Sequence, residues 1–123
     1  MAIVGNLDKV LLYVEDMEKI AGFYHDTLGL KLRMPKESAE LKEARWVEFE
    51  TGPASLCLHA GGKGLKGEDS PEFSFQVHDV TSTRAKLMKL EVEMDEIREV
   101  GGGYAICGGK DPEGNCFYIS GRM

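Results

Sequence analysis

The residues of this sequence best suited to chemistry are Cys57, His59, Glu48, Glu72, Lys9 and Tyr118. An imidazole exchanges its proton near neutral pH, so His59 is a candidate general base or ligand donor. Glu72 is a second candidate for moving a proton. A thiol attacks as its thiolate, so Cys57 would be a nucleophile only if a neighbour such as Lys9 lowered its pKa. Tyr13, Trp46 and Tyr118 add aromatic surface, and rings interleaved with a few polar groups are what a small-organic-molecule pocket requires. The other histidines have local readings: His25 lies beside Tyr24 on a helix surface, and His78 precedes a helix cap. Cys107 and Cys116 fall in neighbouring strands and read as packing residues.

Two glycine-rich stretches resemble phosphate sites only superficially. Gly62-Lys63-Gly64-Leu65-Lys66-Gly67 fits GxGxxG, but Glu68-Asp69-Ser70-Pro71 leads from it into a strand, whereas a dinucleotide fingerprint must open a helix. Gly108-Gly109-Lys110-Asp111 ends like a P-loop, yet Tyr104 stands where the first glycine is needed and no Ser or Thr follows Lys110. The first stretch reads as a linker and the second as part of a turn.

The elements that must position the reactive residues follow from periodicity. Residues 7–14 alternate as a strand, with Val10, Leu12 and Val14 on one face and Lys9, Leu11 and Tyr13 on the other. Asp16 caps a helix whose apolar positions are Met17, Ile20, Ala21, Tyr24 and Leu28, and Gly29 stops it. Leu30–Met34 is a second strand and Lys36–Ala44 a charged loop. Arg45–Thr51 puts Val47 and Phe49 on one side and Trp46, Glu48 and Glu50 on the other. Ala54–Ala60 turns Leu56 and Leu58 inward and Cys57 and His59 outward. Beyond the linker, Phe73, Phe75 and Val77 mark a strand. Asp79 caps a helix over 80–90 through Val80, Leu87 and Leu90, and a short strand lies near Met94–Val100. Strands around Tyr104–Cys107 and Asn115–Ser120 are joined by the turn Asp111-Pro112-Glu113-Gly114-Asn115.

The order is β-α-β-β-β twice. Val14-Glu15-Asp16-Met17 and Val77-His78-Asp79-Val80 occupy the same strand-to-helix junction 63 residues apart, and a repeat of this size outranks any single motif as a guide to the fold. The reading is one domain built from two modules, 3–60 and 71–121, joined by a Gly/Lys-rich linker 61–70. Neither half alone would bury a sufficient core.

Composition narrows the function classes. With 123 residues and a net charge of −6, the chain lacks the positive footprint of a nucleic-acid or membrane-surface binder. No apolar run approaches the length of a membrane helix, and the first residues have no signal-peptide pattern. Three scattered cysteines without CxxC point to a reduced, cytoplasmic protein.

Two βαβββ modules in this length resemble the vicinal oxygen chelate superfamily, which includes glyoxalase I, bleomycin- and fosfomycin-resistance proteins and extradiol dioxygenases. The stretches that carry the resemblance are Lys9-Val10-Leu11-Leu12-Tyr13-Val14-Glu15-Asp16-Met17, Phe23-Tyr24-His25-Asp26-Thr27-Leu28-Gly29-Leu30, and Asp111-Pro112-Glu113-Gly114-Asn115. The resemblance implies an α+β fold in which the two modules form a curved mixed sheet with helices outside. It implies four metal-ligand positions, mostly His, Glu or Gln in the family, which here hold Lys9, Cys57, Glu72 and Tyr118. A protonated lysine only donates, so no metal is expected at this set unless a shift in the fourth strand recruits His59. Lys9 and Glu72 are expected instead to pair across the cleft in the space a metal would take. The expected function is metal-free binding of a small organic ligand by Lys9, Tyr13, Trp46, Glu48, Cys57, His59, Glu72 and Tyr118. The alternative is a divalent-metal-dependent lyase, isomerase or dioxygenase of the glyoxalase I type. The family also implies a homodimer.

Overall fold

The computed structural model describes residues 7–62 and 71–123, so most of the expected linker lies outside the described residues. The chain divides into two units, Met1–Gly64 and Leu65–Met123.

The first unit contains β1 (Lys9–Val14), α1 (Met17–Gly22), a π-helical turn Phe23–Thr27, β2 (Lys31–Met34), a 3-10 helix Ser38–Glu43, β3 (Trp46–Glu50) and β4 (Ser55–Ala60). Its sheet runs β1-β4-β3-β2, with β1 parallel to β4 and the other pairs antiparallel. Asp16 caps α1 by accepting from the Lys19 amide at 3.1 Å. Leu12, Val14, Val47, Phe49, Leu56 and Leu58 on the sheet and Met17, Ile20, Ala21 and Tyr24 on the helical segment are all buried.

Three local expectations change here. The helix foreseen over 17–28 widens after Gly22, where Leu28 N–H reaches Phe23 O at 3.0 Å, and both Phe23 and Tyr24 become buried. The stretch foreseen as a loop, Lys36–Ala44, contains the 3-10 helix because Leu41 has a core position to fill, only 6% exposed. His25 is half-buried rather than a surface residue: its Nδ1 lies 2.9 Å from Leu30 O and its ring stacks on Phe49.

The second unit contains β5 (Ser74–Asp79), α2 (Val80–Lys89), β6 (Glu93–Met94), β7 (Arg98–Gly101), β8 (Tyr104–Lys110) and β9 (Cys116–Arg122). Its sheet repeats the plan of the first: β5 is parallel to β9, β9 antiparallel to β8, and β6 and β7 both pair with β8. The capping repeats as well, with Asp79 accepting from the Ser82 amide at 2.8 Å.

Leu90 was expected in this core but is 57% exposed, and Val92 takes its place. Glu91 adopts a positive φ of 64°, which turns the chain so that Val92 N–H reaches Leu87 O at 3.0 Å. The strand foreseen near Met94–Val100 is two strands. It breaks after Asp95, whose N–H still donates to Gly108 O of β8 at 2.8 Å but whose carbonyl accepts from Arg84 Nε of α2 at 2.8 Å. Among the described residues no helix is long and apolar enough to cross a membrane.

Candidate functional site

Strand register decides which side chains meet. Parallel pairing sets Lys9, Leu11 and Tyr13 of β1 beside Ser55, Cys57 and His59 of β4. Antiparallel pairing sets Glu50, Glu48 and Trp46 of β3 against the same three residues. Because side chains alternate along a strand, these nine residues share one face of the first unit's sheet. Six of them, Lys9, Tyr13, Trp46, Glu48, Cys57 and His59, are sequence candidates.

At one end of this face three rings gather. The His59 ring centroid is 5.1 Å from that of Tyr13 and 6.0 Å from that of Trp46, the latter edge to face. Tyr13 is exposed, and Trp46 and His59 are half-buried, so the rings present surface to solvent. His59 Nδ1 lies 2.7 Å from Ala60 O, an atom that only accepts. The bond therefore requires the proton on Nδ1, and the neutral ring offers Nε2 as an acceptor.

Next to the rings lies a buried carboxylate. Glu48 is 7% exposed, and it accepts from Trp46 Nε1 at 3.3 Å and from Arg33 Nη1 at 3.3 Å. Arg33 was missed in the sequence. Its signal was the β2–β3 pairing, which sets Lys31 opposite Glu50 and Met34 opposite Glu48, with a bulge between them at Arg33. Half-exposed, Arg33 supplies the counter-charge that a buried carboxylate needs.

Cys57 is fully buried despite its outward-facing register position. Burial, reinforced by the Glu48 carboxylate and its hydrogen bond, pushes the thiol up to about 11, and Lys9 acts in the lowering direction without prevailing. The thiolate needed for attack is therefore scarce at neutral pH. The native pKa stands above the ordinary 9.0, so the unfolded chain ionises first and stability falls as pH rises from about 9 to about 11. Two pKa units correspond to about 2 to 3 kcal/mol. Urea midpoints measured between pH 8 and 11 should drop more steeply for the wild type than for Cys57→Ser, whose hydroxyl does not titrate there. Equal slopes would contradict this environment.

Lys9 Nζ sits 3.1 Å from Asp8 Oδ2, and this pairing raises the lysine pKa and lowers that of Asp8. In the second unit Tyr118 OH donates to Glu72 Oε1 at 3.3 Å, and the Glu72 charge raises the phenol pKa. Each member of the foreseen Lys9–Glu72 pair thus has a partner within its own unit. Further along the same face the Ser74 and Ser120 hydroxyls bond at 2.9 Å, and β9 continues beyond the foreseen end at Ser120 to Arg122.

The four family ligand positions do not suit a divalent ion. Lys9 is a donor, Cys57 holds its proton, and Tyr118 spends its hydroxyl on Glu72, the one good oxygen donor of the set. Among the described residues no three His, Cys, Asp or Glu side chains cluster closely enough to hold a metal.

The family model described as Glyoxalase/Bleomycin resistance protein/Dioxygenase superfamily matches residues 6–119. Among solved structures, the chain is similar to TnmS3, an antibiotic binding protein from Streptomyces sp. CB03234, at 20% identity and a TM-score of 0.76, covering 100% of both chains. It is similar to the fosfomycin resistance protein FosX from Listeria monocytogenes at 17% identity and a TM-score of 0.77, covering 98% of this chain and 96% of that one. Lactoylglutathione lyase from Agrobacterium tumefaciens gives 18% identity and a TM-score of 0.76, with coverage of 98% and 96%. At these identities the likeness concerns the fold. No curated protein sequence matches the chain.

Proposed function

Since the chain belongs to the Glyoxalase/Bleomycin resistance protein/Dioxygenase superfamily, we propose that it binds a small, flat organic molecule without a metal, in the manner of a resistance-type binding protein. The observation that carries this reading is the Tyr13–His59–Trp46 array beside the buried Glu48. Tyr13 and Trp46 offer ring surface for stacking. His59 Nε2 accepts a hydrogen bond from the ligand. Arg33 and Lys9 give the polar rim its positive groups. Binding requires neither a thiolate nor a general base, so the raised Cys57 pKa and the replaced ligand positions are compatible with it. The antibiotic-binding relative supports the same reading by analogy of fold. We place the protein in the cytoplasm, where its three free cysteines stay reduced, and as a homodimer.

The test uses the single tryptophan of the sequence, Trp46, as an internal reporter. Titration with 2-naphthol, in chelator-containing buffer, should quench or shift its emission saturably. Tyr13→Ala and His59→Ala should each weaken binding by about tenfold, the effect of losing about 1.4 kcal/mol of stacking or hydrogen bonding. Quenching that both variants leave unchanged, or that appears only with added Ni, Zn, Fe or Mn, would overturn the reading. So would stoichiometric metal in protein purified without chelators. Light scattering on the same samples would remove the dimer if it gave only a 13.6 kDa species.

A further inference from the structure

In the second unit, β5, β8 and β9 enclose an open pocket of about 370 Å3 lined by Gln76, Val77, His78, Tyr104, Gly121 and Arg122. We propose that this pocket binds a small carboxylate or related oxyanion, with Arg122 as its anchor.

Arg122 is held in place by its neighbours on β8 and in the turn before that strand. It pairs with Tyr104 across β8–β9, and its guanidinium carbon sits 4.5 Å above the centre of the Tyr104 ring. Stacking uses the face of the guanidinium and leaves the N–H groups pointing outward in its plane. Its Nη1 donates to Gly102 O at 3.2 Å, which fixes one corner of the fork. No carboxylate of the described residues forms an ion pair with it, although the protein has 21 acidic side chains and a net charge of −6. None of the six lining residues is acidic, and the nearby Asp79 is committed to capping α2. An oriented cation with unused donors, in a recess free of acidic side chains, is complementary to a planar anion that takes two parallel N–H bonds. The Gln76 side chain adds an amide donor on the same sheet face, since Gln76 is the register partner of Ser120, two residues before Arg122.

The backbone makes the recess. Gly121 has no side chain because a Cβ there would overlap the Val77 carbonyl oxygen, and the β5–β9 register shifts between Gln76 and Asp79 at this point. Arg122 lies four residues along β9 from Tyr118, about 13 Å by strand rise. The pocket is therefore a separate locus from the Glu72–Tyr118 pair.

The experiment is an amide-resolved NMR titration of the full chain with sodium benzoate, repeated with inorganic phosphate and with sodium chloride at matched ionic strength. Saturable shifts confined to residues 76–78, 104 and 121–122 are expected with benzoate. Arg122→Gln should weaken them at least tenfold, as expected for losing a charge-assisted hydrogen bond. Arg122→Lys keeps the charge but not the fork and should fall between. Arg122 is exposed at the last position of β9, and circular dichroism verifies that both variants fold. Comparable shifts with phosphate would make the pocket a general oxyanion site. Equal shifts with chloride, shifts scattered over the surface, or an unchanged response in Arg122→Gln would overturn the proposal. Trp46 emission belongs to the other unit, so this outcome is read independently of the test for the first site.

Discussion

Gly121→Ala should destabilise the second unit by about 3 kcal/mol or more and lower the melting temperature by about 10 °C. The new methyl group meets a backbone carbonyl, Val77 O, and a carbonyl inside a sheet cannot rotate aside as a long side chain can. Relief requires β5 and β9 to separate where they pair in parallel. Contrast Gly103→Ala, whose nearest obstacle is a side-chain end, Arg122 Nη1 at 3.2 Å, which needs to shift by only a few tenths of an ångström, so its cost arises mainly from the positive φ of 80°. Thermal denaturation followed by circular dichroism compares the two. A Gly121→Ala protein melting within a degree of wild type would show that the close approach does not constrain the sheet. Because Arg122 follows Gly121, the variant should also lose the benzoate response.

Asp111→Ala is the second large effect expected, also about 3 kcal/mol. Asp111 is 4% exposed and its carboxylate organises the turn before β9. Oδ1 accepts from the Glu113 and Asn115 amides, each at 2.9 Å, and Oδ2 accepts from Asn115 Nδ2 at 2.7 Å. Asn115 is itself 2% exposed, so removing the carboxylate leaves buried donors without that acceptor, at about 1 to 3 kcal/mol each. Asp111→Asn retains one acceptor oxygen and should recover part of the loss. Urea unfolding of the three proteins provides the ranking, and equal midpoints for Asp111→Ala and wild type would refute the turn's role. The turn also matters for function, since it sets where β9 starts and thus which residues of β9 share the face of Tyr118.

Both predictions concern positions whose importance was unequally visible beforehand. The Asp111–Asn115 turn was legible because Asp, Pro, Gly and Asn each favour a turn for a local reason. Gly121 was invisible, because its constraint comes from β5, more than forty residues earlier. Arg33 was missed for a similar reason. On sequence alone it is one more charge in a short strand, and only the pairing of β2 with β3 brings it to Glu48. Leu90 shows the converse failure: helical spacing placed it in the core, and the positive φ at Glu91 removed it.

The sequence by itself determined the repeated βαβββ order, the two aspartate caps 63 residues apart, and the alternation that puts Tyr13, Trp46, Glu48, Cys57 and His59 on one side of their strands. These depend on local periodicity and short-range hydrogen bonding, which neighbours in the chain dictate. Tertiary structure alone decided that His59 sits between two rings, that Cys57 is buried beside a carboxylate and holds its proton, and that Arg122 stacks on Tyr104. Those properties depend on strand register and on burial. A pKa or a ring contact is set by groups distant in sequence, and pairing a strand one residue out of step would present the opposite set of side chains.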